Sequence, residues 1–349
     1  MLEELDVSFK EQSEKWLKWA TTRSRKPILL TSVPTIRGAL DNYILPEIGS
    51  LRLSKVHNGS CKPIVDKMKA ERLAPSSMNG YMNVVKAIMK SVIDPESGEP
   101  VFNRRWNSTF LDLPVVEHSK TPCLTAAQVE SMLADAKYAW ERRLYLVLAS
   151  TGLRISEVLA LEWRHLVNDG RTLIVEQKVD RFGKIVRRMK TKSGKREIDL
   201  HSSVAKELLA AKELLSAKSS DLMFSTRNGT PHLSNNIERR LLREHVTGSW
   251  HQFRRYRNTH LRKSGCLEDL RLFWMGHKPT EMGEVYSKLK DDLETRLEWA
   301  EKLGVGFKIV PLDEFRSRKV GKPRGWTRGK SKRRVYADVT LKAVRLRDN

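Results

Sequence analysis

The strongest constraint on the fold is a break in hydrophobic periodicity between residues 94 and 122. Four prolines and a glycine interrupt this segment: Pro95, Gly98, Pro100, Pro114 and Pro122. Few apolar residues there follow the regular spacing of helices or strands. Because 349 residues are also many for a single hydrophobic core, the sequence predicts two domains. They cover residues 1–112 and 123–310, with a linker at 113–122 and a basic C-terminal tail at 311–349.

The first domain is predicted to be entirely helical. Ser76 and Ser77, directly after Pro75, are candidate N-caps. The apolar residues that follow recur at helical offsets: Tyr81, Val84, Val85, Ile88 and Val92. Residues 12–20 and 34–45 predict shorter helices.

The second domain mixes helices and strands. It is predicted to begin at Thr125, which forms a capping box with Gln128 ahead of a helix. Three runs have the composition and spacing of strands, with turns at Phe182-Gly183 and Ser193-Gly194: residues 172–178, 184–190 and 196–200. Further helices are predicted around the almost wholly apolar residues 144–149, at 204–215, and at 251–264 with Gly265 as C-cap.

The charge balance predicts a polyanionic partner. Lys and Arg number 65 against 42 Asp and Glu, a net charge of +23 that favours DNA or RNA. Residues 313–349 hold 13 Lys or Arg and 4 Asp or Glu, or +9 of this charge. The other +14 lies on the rest of the chain, so the folded part must itself present a basic face. The tail fits a solubilising extension and an ordered DNA contact equally well.

Several classes of protein are disfavoured by the sequence. The longest strongly apolar run is about six residues, whereas a bilayer-spanning helix needs about 20. The polar N-terminus does not resemble a secretion signal. Three widely spaced cysteines favour reduced thiols in a cytoplasmic protein over disulfides. No DxD, HExxH, Cys/His cluster or Walker loop occurs, so we expect no metal, no ATP and no other cofactor.

Three pairs of polar residues are candidates for the chemistry: Arg154 with Glu157, His251 with Arg254, and His277 with Tyr286. They lie in the stretches TGLRISEVLAL (151–161), WHQFRRYRNTHLRKSG (250–265) and WMGHKPTEMGEVY (274–286). An Arg and a Glu three residues apart on a helix usually form a surface ion pair of little energetic value. Each pair alone is therefore weak support for a function.

In this order and at these spacings, the motifs resemble those of the tyrosine recombinase, or phage integrase, family. Thr-Gly-x-Arg-x-x-Glu at 151–157 is similar to the family's first box, and His-x-x-Arg at 251–254 to its second. Gly276-His277, with a tyrosine nine residues after the histidine, resembles the signature around its nucleophile. Residues 43–53 and 73–88 resemble, less specifically, its core-binding domain.

The resemblance implies a mainly α fold with a small antiparallel β-sheet. An all-helical, SAM-like core-binding domain that contacts DNA would precede a mixed α/β catalytic domain. Tyr286 would be the nucleophile, because a phenol with a pKa of about 10 ionises more easily than an aliphatic alcohol. Arg154 and Arg254 would neutralise the attacked phosphate with their planar forks. His251 would transfer protons, His277 would hydrogen-bond the phosphate, and Glu157 would orient its neighbours.

In the family a lysine on a β-hairpin protonates the leaving 5′ oxygen, and KTKSGKR at 190–196 resembles that hairpin. Lys190 is the first candidate and Lys192 the second. The family usually has a proline where this chain has Asp199. Four basic residues are predicted to contact DNA, with solvated surface positions as the alternative: Arg255, Arg257, Lys192 and Lys195. Tyr256 is the rival tyrosine, but on one helix with Arg254 its side chain is predicted to point away from that arginine.

The implied reaction is cleavage and rejoining of double-stranded recombination sites by a homo-tetramer, through a phosphotyrosine and a Holliday junction. A simple recombinase and a mobile-element integrase are equally open, as is the need for accessory proteins. The helix at 291–303 is predicted either to dock on a neighbouring protomer or to pack on its own core. Two rival functions remain: a monomeric type IB topoisomerase-like enzyme, and a DNA-binding regulator without catalytic activity.

Overall fold

The computed structural model describes residues 2–116, 123–187, 194–238, 249–277 and 288–309. It divides the chain into two compact units, Met1–Lys120 and Thr121–Asn349. Their boundary falls inside the segment predicted as a linker. Tyr286, Lys190, Lys192 and the tail at 311–349 lie outside the described residues.

The first unit is helical, and a five-residue π-helical stretch, Leu40–Ile44, joins its third and fourth helices. Its helices are α1 Leu2–Leu5, α2 Phe9–Thr22, α3 Val33–Ala39, α4 Leu45–Ile48, α5 Asn58–Ala70 and α6 Pro75–Met89. Residues from these helices form a hydrophobic core that is separate from the core of the second unit.

Helix α6 differs in detail from its prediction. Ala74, not Ser76 or Ser77, is the N-cap residue, because Pro75 occupies the first turn, where its missing N–H costs nothing. The buried face is rotated from the predicted one: Met78, Met82, Val85, Ile88 and Met89. Tyr81 and Val84 are only half-buried. Methionines therefore fill core positions that a prediction from β-branched and aromatic residues alone did not include.

The second unit contains seven numbered helices and five short strands among its described residues. The helices are α7 Ala126–Asp135, α8 Ala139–Thr151, α9 Ile155–Val158, α10 Ser202–Leu214, α11 His251–Lys263, α12 Glu268–Met275 and α13 Leu293–Leu303. The strands are β1 Leu166–Val167, β2 Thr172–Val175, β3 Lys178–Val179, β4 Ile185–Val186 and β5 Arg196–Asp199. Residues 234–238 are also helical.

The strands form two small antiparallel sheets, ordered β1-β2-β5 and β3-β4. In the larger sheet Thr172 lies opposite Asp199 and Val175 opposite Arg196. The predicted strand 172–178 is thus divided between two sheets. The predicted turn at Phe182-Gly183 is present, with Gly183 at a φ of +81°.

Helix α8 forms the centre of this unit. Every residue from Leu144 to Thr151 is buried, as predicted from the apolar run, and the Tyr145 ring stacks on Phe253 of α11 at 5.9 Å between centroids. The capping box of α7 is also confirmed: Thr125 N donates to Gln128 Oε1 at 2.9 Å, and Gln128 N donates to Thr125 Oγ1 at 3.2 Å. The fold is mainly α with small antiparallel sheets.

Helix α13 packs on its own unit. Arg296 lies 3.1 Å from Asp199 of β5 as an ion pair, and Glu301 accepts from the backbone N–H of Ser202 at 3.0 Å. Within a single chain the helix therefore packs on its own core, and its docking on a neighbouring protomer stays a prediction. None of the described helices has the length and apolar character that a bilayer crossing demands.

Candidate active site

The site begins at the turn that ends α8. Gly152 has a φ of +67° and the left-handed conformation, which glycine adopts without strain. A Cβ at this position would lie 2.5 Å from Met275 Cε of α12 and 3.1 Å from Arg257 Cβ, so a side chain there would force the buried Met275 side chain to shift. The turn brings Arg154 to the start of α9, with 45% of its side chain exposed.

Glu157 holds two arginines from different elements. Its Oε1 accepts from Arg154 Nη1 at 2.9 Å, and its Oε2 accepts from Arg196 Nη2 of β5 at 3.0 Å. The backbone N–H of Arg154 also donates to this carboxylate, at 3.0 Å. Burial alone would raise the pKa of Glu157, but the charge of Arg196 and the hydrogen bonds outweigh it and lower that pKa below its usual value. Glu157 is therefore a fixed, ionised bridge.

Arg254 lies on α11 and is only 4% exposed. Its Nη1 donates to the carbonyl of Gly152 at 2.9 Å, and its Nη2 donates to the carbonyl of Met275 and to His277 Nε2, the latter at 3.0 Å. Because a guanidinium has no acceptor, His277 Nε2 must accept, so His277 is neutral with its proton on Nδ1. Arg254 thus joins the end of α8 to the end of α12.

Arg254 differs from most buried arginines of this unit in the partners of its charged side chain. Four others pair with carboxylates: Arg142 with Glu207, Arg196 with Glu157, Arg271 with Glu268, and Arg296 with Asp199 and Glu197. The hydrogen-bond partners of Arg254 among the described residues are two carbonyls and a neutral histidine. Burial, and then repulsion from Arg154, lowers the pKa of Arg254 to about 10, so the guanidinium keeps its charge at neutral pH. Glu157 acts on Arg254 only through its charge, so this buried cation, with no carboxylate among these hydrogen-bond partners, is suited to an anionic ligand.

The two histidines of the motifs share this electrostatic environment. His251 begins α11 and is exposed. Partial burial, and then the charge of Arg254, lowers the pKa of His251 below its usual range, and the same two causes act on the pKa of His277. Both imidazoles are therefore neutral at neutral pH and can each donate one hydrogen bond and accept another.

The prediction that Arg257 contacts DNA is wrong for this structure. Arg257 is 3% exposed, and its Nη1 donates at 2.7 Å to the carbonyl of Gly304, at the C-terminal end of α13. A cation is favourable at that end of a helix because it satisfies free carbonyls. Of the other predicted DNA contacts, Lys195 is exposed and Arg255 is half-buried.

The rival tyrosine is unsuited to nucleophilic attack. Tyr256 is 6% exposed, and its hydroxyl donates to the carbonyl of Val305 at 3.4 Å. Burial raises the pKa of Tyr256 to about 12. A phenol that is buried and harder to ionise is a poor nucleophile.

Sequence reasoning missed the part played by Arg196. It entered only as the end of the hairpin motif, yet its Nε donates to the carbonyl of Trp274 at 2.9 Å while its Nη2 holds Glu157. Gly276, with a φ of +63°, passes so close that a Cβ there would lie 3.0 Å from the Arg196 guanidinium. The glycine of the Gly276-His277 motif was the available signal, because a glycine often marks a place where another group approaches the backbone closely.

The model of the phage integrase family matches residues 122–292. Through this segment, the chain belongs to the phage integrase family. The matched segment contains all three motifs that resemble those of the tyrosine recombinases. No curated protein matches the chain significantly in sequence.

Two solved structures show that the fold is shared at low sequence identity. The Tn1549 transposon integrase in complex with transposon right end DNA is 20% identical, with a TM-score of 0.65 over 89% of this chain and 98% of that chain. A lambda integrase tetramer bound to a Holliday junction is 15% identical, with a TM-score of 0.58 over 83% of this chain and 82% of that chain. Both likenesses extend beyond the segment matched by the family model.

Proposed function

We propose that this protein is a site-specific DNA recombinase of the integrase type, which cuts and rejoins DNA through a 3′-phosphotyrosyl intermediate. The observation that carries the proposal is the buried Arg254, held by Gly152, Met275 and His277 without a carboxylate among its hydrogen-bond partners in the described residues. Arg154 is close enough to lower the pKa of Arg254. Two neighbouring cations, one of them buried, favour a phosphodiester, whose negative charge grows as it is attacked.

In the proposed reaction, the phenolic oxygen of Tyr286 forms a bond to the scissile phosphorus and its proton is lost. The bond from phosphorus to the 5′ oxygen breaks, and that oxygen takes a proton from Lys190, with Lys192 as the second candidate. Arg154 and Arg254 neutralise the non-bridging oxygens, His277 hydrogen-bonds the phosphate, and His251 serves proton transfer. The 5′ hydroxyl of a partner strand reverses these steps. The ester energy is kept in the phosphotyrosine, so the reaction requires no ATP.

We further propose that the working form is a homo-tetramer on two double-stranded sites, in the cytoplasm. The lambda integrase of similar fold forms a tetramer on a Holliday junction, and the Tn1549 integrase binds transposon end DNA. The helical first unit would act as the core-binding domain. A charge of +23 supplies the attraction to the DNA backbone that both units would use.

The test is covalent capture on DNA. The protein is incubated with a library of nicked duplexes of random sequence, in EDTA and without ATP, and denaturant-stable adducts are isolated and sequenced. Wild type and Tyr256→Phe should form an adduct on a defined sequence, whereas Tyr286→Phe should form none. Tyr256→Phe is the matched control, because it removes only a buried hydroxyl that donates to the carbonyl of Val305.

The same experiment separates the rival functions. A DNA-binding regulator would shift DNA reversibly and leave no adduct with wild type. A type IB topoisomerase-like enzyme would form adducts without sequence preference and relax supercoiled plasmid without recombinant products. Either result would refute the proposed function.

A further inference from the structure

We infer that Asp199 is a positioning residue. It ties the end of α12, which precedes Tyr286 in the sequence, and helix α13, which follows Tyr286, to strand β5. The inference rests on the proposed function, because it concerns how that site is held. Asp199 is 2% exposed and ends β5. Its carboxylate contacts side chains from three other elements, two of which, α12 and α13, lie on either side of Tyr286 in the sequence.

The first tie is to α12. Trp274 Nε1 donates to Asp199 Oδ2 at 2.9 Å, and Trp274 is directly followed by Met275, whose carbonyl accepts from Arg254. His277, two residues further, contacts the same guanidinium at 3.0 Å. The hydrogen bond from the Trp274 indole therefore holds the end of α12, where Met275 and His277 contact Arg254.

The second tie is to α13. Arg296, 3% exposed, lies 3.1 Å from Asp199 as an ion pair and also donates to Glu197. Its Nη1 donates to the carbonyl of Lys290, in the turn just before α13, and its guanidinium stacks over the Phe273 ring at 5.3 Å. Arg296 thus links α13, the turn at 289–291, α12 and β5.

These contacts act at both ends of the interval that contains Tyr286 in the sequence. His277 precedes that interval and Lys288 follows it. The Asp199 carboxylate thus anchors Trp274, before His277, and Arg296, after Lys288. Displacements of about 1 Å in a reacting group can lower a rate about 100-fold, so this anchoring bears on the chemical step.

The third contact provides a control. Thr172 Oγ1 donates to Asp199 Oδ1 at 2.9 Å, but Thr172 lies on β2 and touches neither flank through this bond. Thr172→Val removes the hydroxyl at nearly constant volume. Glu207→Gln is a second control, since Glu207 pairs with the buried Arg142 at 2.7 Å elsewhere in the unit.

The experiment compares Asp199→Asn with these two controls in the full-length protein. Asparagine keeps the volume of Asp199 but loses its charge and presents an N–H₂ group to donors. We expect single-turnover cleavage of saturating nicked DNA to slow about 10- to 100-fold, with the Kd for that DNA changed less than about 3-fold. Thr172→Val and Glu207→Gln should stay within about 3-fold of wild type. Arg296→Gln should slow cleavage too, and the double variant should be no slower than the slower single variant.

Hydrogen exchange in the DNA-free protein gives a second readout that does not depend on activity. Asp199→Asn should raise exchange in residues 272–277 and 289–296, and Glu207→Gln should not. Unchanged exchange there, or cleavage as slow in Glu207→Gln as in Asp199→Asn, would overturn the inference. If wild type forms no adduct on any DNA, the proposed function fails and with it the effect on cleavage, and the exchange comparison then decides only whether Asp199 anchors both segments.

Discussion

Glu157 bridges two arginines that differ in exposure, and this difference predicts two separable effects. The Arg154 side chain is 45% exposed and that of Arg196 is 1% exposed. Only the Arg154 end of its pair with Glu157 is exposed, but Glu157 keeps Arg196 when Arg154 is lost, so the loss resembles that of a surface ion pair, about 0–1 kcal/mol in the free energy of unfolding. Removing one partner of a buried pair costs about 3–5 kcal/mol, because the other charge is left buried. Arg154→Met should therefore lower stability by at most about 1 kcal/mol, and Arg196→Met by about 3–5 kcal/mol.

For the cleavage rate, Arg154→Met should be the variant with the direct effect, although it is the one that costs less stability. Loss of one group that stabilises transition-state charge costs about 100- to 1,000-fold in rate. Arg154→Met should thus cut adduct formation by about that factor while the protein stays folded. Any loss in Arg196→Met should instead follow its effect on Glu157 and on the Trp274 carbonyl that it holds.

Urea unfolding measures the first effect and single-turnover adduct formation the second. Because the chain forms two units, their transitions are fitted separately and only the second unit is compared. The reasoning is refuted if Arg154→Met destabilises that unit as much as Arg196→Met. It is also refuted if Arg154→Met forms the adduct at the wild-type rate.

Three further predictions concern glycine, acid and DNA binding. Gly152→Ala and Gly265→Ala should both carry the strain of a positive φ, about 1–2 kcal/mol. Only Gly152→Ala should lose about 1 kcal/mol more in urea unfolding, because the Met275 side chain must shift away from the new Cβ, whereas a Cβ at Gly265 meets nothing within 4 Å. The pKa of Glu157 is lower in the folded protein than its ordinary value of 4.5, so ionised Glu157 stabilises the fold above pH 4.5. This part of the free energy of unfolding is lost as the pH falls through the lower folded pKa. Glu157→Gln should not show that loss when its stability is measured against acid pH. A bound phosphate should raise the lowered pKa of His277, so DNA binding should take up protons and tighten as the pH falls below neutral. His277→Gln should flatten that dependence in a binding titration.

Local signals predicted several elements of the second unit correctly. The capping box at Thr125 and the buried helix around 144–149 depend on interactions within a few residues, which spacing alone encodes. The motifs also named Arg154, Arg254 and His277. The structure places His277 on Arg254 and brings Arg154 close enough to act on the pKa of both.

The partners of buried charges could not be predicted in this way. Arg254 and Arg257 are three residues apart on one helix, and both are buried, but the first meets Gly152 and the second meets Gly304. Which carbonyl each guanidinium reaches depends on how α8 and α13 pack on α11, and no periodicity in α11 contains that information. The same holds for Asp199, whose partners come from residues 172, 274 and 296.

The pairing of buried arginines offers a physical criterion that complements the motifs. A buried guanidinium loses its hydration, and a nearby carboxylate usually compensates for it. Arg257 donates to a carbonyl at the C-terminal end of α13, where the helix dipole is favourable to a cation. Arg254 has carbonyls from two chain turns and a histidine kept neutral beside it, an arrangement that leaves net positive charge at the point where α8, α11 and α12 meet. If that charge serves an anion, inorganic phosphate or DNA should stabilise the wild-type unit against urea more than it stabilises Arg254→Met, whereas the corresponding comparison with Arg257→Met should show no loss of that stabilisation.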